Sequence, residues 1–425
     1  MSTAARQTLQ PCPECGAEIR ADGRFTVWCA ACDWNVDPGR PEDDGGRLER
    51  LRRALARRHG EALFAATGDG RGRRPGRDAA GVVAYVIAGA IHAVTLGLAV
   101  AGLWFLLTGW GGFAMLLGLL LLGVAWPLRP RLGRLPEDGI ILRRSDAPEL
   151  YALVDEVARA AGTRSVDAIA VDGQPDASVT GHGLRGRLLT LGLPLWEVLT
   201  PQQRIALLGH ELGHCANGDT RRGLVVATAY RSLATWHYFL TPIRDPSAAE
   251  MVVNLLYLVP RALVQGLLMV FEVLTARATQ RGEYLADSLA ARVGSTEAAV
   301  GVMDLLLVMD SVTVTLHREV GRRRMARRGD PANLGEGLWE ELAAHMGSVP
   351  ESEYERQRRA GALRGHSVGS THPPTHLRRR WLLDAPALSA SVVADTDRAE
   401  RVAAELAGAR QRVARQLVRD GLGGA

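Results

Sequence analysis

Apolar and polar positions alternate very unevenly along this chain. From Ala79 to Leu128 there is no Asp, Glu, Lys or Arg over about 50 residues, enough for two membrane spans of roughly 20 residues each. The block divides into Gly81 to Leu107, a turn at Thr108-Gly109-Trp110-Gly111-Gly112, and Phe113 to Leu128. A buried hairpin in a soluble core rarely stays apolar on every face for this length, so residues 81–128 are expected to form a transmembrane helical hairpin. After Arg134 the periodicity becomes that of a globular α+β unit. Asp146 to Ala161 has helical spacing, with Leu150, Leu153, Val154 and Val157 on one face and Asp146-Ala147-Pro148 as a start signal. Val166 to Val171 and Arg187 to Leu191 read as short strands. Thr200-Pro201-Gln202-Gln203 opens a further helix, with Thr as its cap and Pro at its first position. Two later apolar stretches, residues 223–243 and 251–274, are interrupted by Arg231 and His237 and by Pro260-Arg261. An arginine at mid-bilayer costs about 2.5–3.5 kcal/mol on insertion scales, so neither is a clean span. The fold class expected is mainly α, with a small sheet.

Charge orients this scheme. Arg71, Arg73, Arg74 and Arg77 precede the hairpin, Arg129, Arg131 and Arg134 follow it, and its turn carries no charge. By the positive-inside rule both outer flanks are cytoplasmic, which gives a multi-pass cell-membrane protein with its N-terminus and main folded part on the cytoplasmic side. The first 78 residues are polar and the apolar run is too long for a signal-peptide core, so the first span is expected to serve as an internal anchor. All 51 basic residues are arginine, a chain-wide bias better explained by genome composition than by one binding function. The pI near 9.2 and net charge of +5 suit contact with an anionic bilayer, and charge alone implies no nucleic-acid partner.

Four of the five cysteines form Cys12-x-x-Cys15 and Cys29-x-x-Cys32, with 13 residues between the pairs. Two such knuckles present four thiolates to one metal, and the polar segment around them has too little apolar area to fold without it. Two disulfides are the competing reading, disfavoured by a reducing cytoplasmic location. Residues 1–38 are therefore expected to be a zinc ribbon holding a structural zinc, its partner unreadable. Residues 39–80 read as a polar linker with a short basic helix between Leu48 and Phe64, and residues 386–425 as an Arg-rich helical tail.

The candidate chemistry lies in His210-Glu211-Leu212-Gly213-His214. Positions i and i+4 share a helix face, so His210 and His214 can bind one zinc ion while Glu211 reaches a water molecule beside it. The pattern arises by chance in a chain of this length about one time in a hundred. Gly213, a poor helix former, suggests close packing against another backbone. Glu283 and Asp287 are also one turn apart, so Glu283 can complete a two-His, one-Glu site while Asp287 bonds a ligand or a neighbouring helix; by itself this pair could equally be a solvated face. If Glu283 is a ligand it shares a compartment with His210 and His214, so zero or two of the stretches 223–243 and 251–274 cross the membrane.

Three segments together carry a resemblance: His210 to Asp219 (HELGHCANGD), Glu283-Tyr284-Leu285-Ala286-Asp287, and Thr371-His372-Pro373-Pro374 with Arg378. In this order they resemble the HtpX-like family of membrane zinc metallopeptidases, which also includes the CAAX prenyl endopeptidases. The likeness runs from the hydrophobic hairpin to about Arg380. It implies a zincin-type helical metallopeptidase domain, here residues 129–385, with His210, His214 and Glu283 as ligands of a catalytic zinc and Glu211 as general base. It further implies Asp287 behind the ligands, and His372 and Arg378 approaching the cleft, with His372 able to stabilise the tetrahedral oxyanion. Substrate, a protein or peptide, would add as a strand to a sheet edge near Asp176 to Gly181. Where the family usually carries an Asn-Ala pair, this chain has Asp176-Ala177, and the cysteine ribbon is an addition to the family pattern. The expected function is thus a membrane-anchored zinc endopeptidase acting on membrane or misfolded proteins. Its rivals are an inactive zinc-ribbon adaptor and a zinc hydrolase of a non-peptide amide.

Overall fold

The computed structural model describes residues 8–39, 60–61, 64, 79–109, 111–130, 133–136, 139–183, 185–217, 219–325, 335–364 and 372–421. The basic helix expected in the 39–80 linker lies outside these residues except at 60, 61 and 64. The N-terminal module is an antiparallel pair, β1 (Thr8–Pro11) and β2 (Glu18–Ala21), followed by loops that carry the second cysteine pair. Next come α1 (Ala79–Thr108) and α2 (Phe113–Leu128). They cross where side chains are absent: a Cβ on Gly118 would meet the Gly102 carbonyl oxygen at 2.7 Å, and one on Gly102 would meet the Gly118 carbonyl oxygen at 3.0 Å. Small residues at such a crossing let apolar helices approach closely.

A second unit follows: β3 (Ile140–Leu142), α3 (Pro148–Ala160), β4 (Ala168–Asp172), β5 (Ala177–His182) and β6 (Gly186–Gly192). The sheet order is β3-β4-β6-β5, with β4 and β6 parallel and both outer pairs antiparallel, so β5 is an edge strand. The remaining elements are helical: α4 (Leu193–Val198), α5 (Pro201–Ala216), α6 (Asp219–Phe239), α7 (Ala248–Gly294), α8 (Thr296–Leu307), α9 (Met309–Met325), α10 (Leu338–Gly347), α11 (Glu351–Arg364), α12 (Thr375–Asp384) and α13 (Thr396–Asp420). The α-rich fold with a small sheet agrees with the hydropathy pattern.

Helix α7 departs from that pattern. The apolar stretch 251–274 and the Glu283/Asp287 segment lie on one continuous helix of 47 residues, about 70 Å long at 1.5 Å per residue. Pro260 lies inside it without ending it. In apolar surroundings the remaining backbone groups gain nothing by leaving the helix, because no water competes for them. Its start is firm: Ser247 and Glu250 form a reciprocal capping box. Two helices, Ala80–Thr108 and α7, are long and apolar enough to cross a membrane, and α2 is a shorter apolar helix. Along α7, Leu255, Leu256, Leu258, Val259, Leu263 and Val273 are exposed, as are Val86, Leu96 and Trp104 on α1. The inner faces meet in an apolar cluster of Ala88, Ile91, Ala229, Leu233, Val264 and Phe271, which joins α1, α6 and α7. Ser232 on α6 donates to the Leu128 carbonyl at 2.9 Å and ties α2 to them.

The main core lies between the sheet and the C-terminal half of α7. Ile169 and Leu189 from the sheet, Leu150 and Val154 from α3, and Leu208 and Leu212 from α5 are all fully buried within it. Helix α13, in the Arg-rich segment 386–425, buries Val402, Leu406, Val413 and Leu417 in the same core. It also caps α3. Ala147, the residue before α3, has no capping side chain, and Asp146 instead accepts a hydrogen bond from the Arg143 backbone. The free amides of Glu149 and Leu150 donate to the two carboxylate oxygens of Glu405, at 2.8 and 3.0 Å. Replacing a capping group by alanine costs about 0.5–2 kcal/mol. Glu405→Ala is therefore expected to lower the unfolding midpoint by about 2–4 °C per kcal/mol lost, with Glu405→Gln in between; an unchanged midpoint would remove the cap from the account of stability.

Candidate metal centres and active site

Helix α5 carries the motif because its start is fixed and its flank is small. Gln203 N–H donates to Thr200 Oγ1 at 3.3 Å while Thr200 N–H donates to Gln203 Oε1 at 3.0 Å, a complete capping box. Downstream, α5 lies against α7 along a seam of small residues. A Cβ on Gly213 would meet Ala286 Cα at 3.1 Å, one on Gly209 would meet Ala290 Cα at 3.3 Å, and one on Gly294 would meet Ala206 Cα at 2.7 Å. The close backbone approach expected at Gly213 is what brings the two histidines to the carboxylates of α7.

His210, His214 and Glu283 converge so that one ligand atom of each lies within 4.8 Å of the others. The Nε2 atoms of His210 and His214 are 3.3 Å apart, His210 Nε2 is 3.6 Å from Glu283 Oε2, and His214 Nε2 is 3.5 Å from Glu283 Oε1. A tetrahedral site with bonds of about 2.0–2.1 Å has ligand-to-ligand edges of about 3.3 Å. The buried Glu283 Oε2 accepts no hydrogen bond among the described residues. Two imidazole nitrogens and the two oxygens of a buried carboxylate at this spacing, Oε2 having no hydrogen bond, fit a small divalent cation with nitrogen and oxygen ligands.

The groups behind them are buried and paired. Asp287, fully buried on α7, places Oδ1 3.0 Å from His210 Nδ1, which leaves the other ring nitrogen turned toward His214 and Glu283. Arg378 on α12 donates to both Asp287 oxygens, at 2.8 and 2.7 Å, and stands 3.3 Å from Glu283 Oε2. Burial disfavours its charge, but Asp287 outweighs that penalty and pushes the guanidinium pKa up. His372, 62% exposed, lies with Nδ1 2.9 Å from Glu283 Oε1. Burial likewise pushes the Glu211 carboxyl up, more than the adjacent His210 and His214 pull it down.

Cys12, Cys15, Cys29 and Cys32 form a second group, with Sγ–Sγ separations of 3.7 Å (Cys12–Cys32) and 3.6 Å (Cys15–Cys29). A disulfide needs about 2.05 Å, whereas a tetrahedron with metal–sulfur bonds of about 2.3 Å has edges of about 3.8 Å. All five cysteines are free, and Cys215, next to a motif histidine, is buried. These two groups are the metal-ligand clusters found among the described residues; His182 and His376 belong to neither, and His366 lies outside those residues. His92 on α1 instead contacts the Val225 carbonyl and Thr228 Oγ1 of α6, each at 3.2 Å.

Sequence reasoning missed a bridging carboxylate. Asp304 on α8 accepts from Arg358 of α11 and from Arg379 of α12, at 2.9 and 2.7 Å, beside Arg378. Nothing local marks an aspartate in an apolar amphipathic helix as a bridge. Trp381, which no local pattern marks, packs its ring 5.4 Å from that of Tyr284 and donates to Ser288 Oγ at 3.2 Å, which locks α12 onto α7 next to Glu283. The strand nearest α5 is β5, whose outer edge has no strand partner among the described residues.

Comparison with known proteins identifies the family. Peptidase family M48 matches residues 144–385. Among curated proteins, a protease HtpX homolog of Pyrobaculum calidifontis is 26% identical over 56% of this chain and 68% of its own length. That of Thermococcus kodakarensis is 26% identical over 56% and 73%, and that of Gemmatimonas aurantiaca 25% identical over 55% and 75%. No solved structure gives a significant match. With more than half of its length matched, across both the histidine motif and the Glu283 segment, the chain belongs to peptidase family M48.

Proposed function

We propose that this protein is a membrane-anchored zinc endopeptidase with its active site on the cytoplasmic side. The observation that carries the reading is the spacing of His210 Nε2, His214 Nε2 and the Glu283 carboxylate, which matches the edges of a tetrahedral site. His210, His214 and Glu283 would hold the catalytic zinc, and the four N-terminal cysteines a structural one. Zinc, when bound, supplies Lewis acidity to a scissile carbonyl and lowers the pKa of water. Glu211 takes the proton of the attacking water and hands it to the leaving nitrogen, and burial shifts its pKa in the direction that favours the second transfer. Asp287 holds His210 in the tautomer that keeps Nε2 free, and Arg378 keeps Asp287 ionised. His372, by donating to Glu283 Oε1, leaves Oε2 for the metal; its exposed position beside the site suits it to reach a developing oxyanion.

Substrate would enter as an extended chain beside β5, whose outer edge has no strand partner among the described residues and whose inner neighbour is β6. The exposed apolar faces of α1 and α7 suit lipid, and the shared cluster with α6 supports the α6–α7 pair crossing alongside α1 and α2, so that both of its ends return to the peptidase side. Membrane-embedded or misfolded protein substrates would suit this placement.

The test is metal removal and return. The purified full-length chain in nanodiscs should contain two zinc ions, lose cleavage of an unfolded membrane protein on chelation, and regain it when zinc is returned beyond the one equivalent that the cysteine group takes up. Cleavage that survives removal of both ions would overturn the reading, as would an intact preparation that holds only the cysteine-bound ion.

A further inference from the structure

The N-terminal module does not stand apart from the peptidase body. Arg356 of α11, itself buried, donates to the Val36 carbonyl at 2.7 Å while its guanidinium pairs with buried Glu353. Trp28, Val36 and Ala360 form one buried apolar cluster across the contact. At its edge Arg359 donates to the Ala30 carbonyl and to Asp33, each at 2.7 Å, and Arg364 pairs with Asp37 at 2.7 Å. The docking residues on α11 thus all meet the module at 28–37, the loop built around Cys29-x-x-Cys32, while Arg24 separately donates to Ser348 Oγ at 3.0 Å after α10. Its shape is that of a metal knuckle: Asp33 and Asn35 have positive φ, at 59° and 56°, and Asn35 ties the loop back to the Val27 carbonyl at 2.7 Å. Beneath it the module's own core consists of Cys12, Ile19 and Cys29 with a few half-buried neighbours, too little apolar surface to hold that shape without a metal.

The far side of α11 reaches the active site. Arg358 and Arg379 share Asp304, and Arg379 adjoins Arg378, which grips Asp287 and through it His210. Helix α11 has little apolar surface of its own to hold it in place: its buried residues are Glu353, Arg356 and Ala360, and the first two need the module's cover and its Val36 carbonyl to stay satisfied.

We propose that the metal-loaded cysteine module is a clamp that seats α11 and thereby α12, so that Arg378 holds the ligand set of the peptidase site in register. The module then acts as a metal-dependent positioning device, and release of its ion loosens the active site through α11, Asp304 and α12 without touching a ligand of the second metal. The proposal rests on the peptidase reading for its effect on cleavage, and its structural half can be measured without that activity.

The test uses the full-length chain in nanodiscs. Cys29→Ser with Cys32→Ser should leave one zinc ion per chain, speed amide exchange in α12 (Thr375–Asp384) about tenfold, leave α3 unchanged, and lower kcat more than it raises KM. Asp37→Arg, which keeps all four cysteines, should retain both ions and still speed exchange in α12, and adding Arg364→Asp should restore it. If the cysteine variant holds its peptidase-site zinc and α12 exchanges as in the parent protein, the module is independent and the proposal fails. If α12 responds while neither protein cleaves anything, the clamp stands and the peptidase reading fails instead.

Discussion

Glu211→Gln is expected to keep both zinc ions and to lose about 10²–10⁴-fold in cleavage rate, the usual contribution of a positioned general base. The substitution preserves shape and the α5 helix, because glutamine is as good a helix former as glutamate. What it removes is the ability to exchange a proton at a carboxylate between His210 and His214. The pH profile is a second readout. Glu211 works as a base only when ionised, and burial raises its pKa above the ordinary glutamate range, so activity should fall away on the acidic side at a pH higher than about 4.3. The residual activity of Glu211→Gln should lack that acidic limb. A variant with full metal content and undiminished cleavage would assign the base elsewhere.

Arg378→Met is expected to be the most destabilising single change in the site. It leaves Asp287 fully buried and Glu283 nearly so, with their shared cation gone. Breaking one side of a buried ion pair costs about 3–5 kcal/mol, because the remaining charge has neither water nor partner. At about 2–4 °C per kcal/mol for a domain of this size, the unfolding midpoint should drop by roughly 6–20 °C, with loss of zinc from the peptidase site. The double variant Arg378→Met, Asp287→Asn should recover part of the loss, since removing both charges avoids the buried orphan. Strictly additive losses would mean that the pair contributes nothing beyond its separate side chains.

Much of this arrangement was legible before any coordinates, for physical reasons tied to local spacing. Two histidines four apart in a capped helix must share a face, two cysteine knuckles must approach one another to bury anything, and 50 uncharged residues can satisfy their backbone groups only as helices. The α3 helix and the strands β4 and β6 followed from period alone. Less legible were features that depend on pairs distant in sequence. Pro260 with Arg261 suggests an interruption, yet α7 runs through both, its start fixed by the capping box at Ser247. The start of α3 was sought in Asp146, whereas the cap arrives from Glu405, more than 250 residues away. No periodicity announces such a carboxylate.

The sequence by itself determined which residues could carry the chemistry: the histidine pair, the neighbouring glutamate, the Glu283/Asp287 turn and the four cysteines, each set by i, i+4 or C-x-x-C spacing that survives any tertiary arrangement. Only the tertiary structure decided that Glu283 meets the histidines edge by edge, that Arg378 arrives from α12 and His372 from the segment just before it, and that the cysteine module leans on α11. The reason is that spacing is a local property of the chain, while convergence depends on the glycine and alanine seam that lets α5 and α7 close to backbone contact and on buried charges that find their partners only once the core has formed.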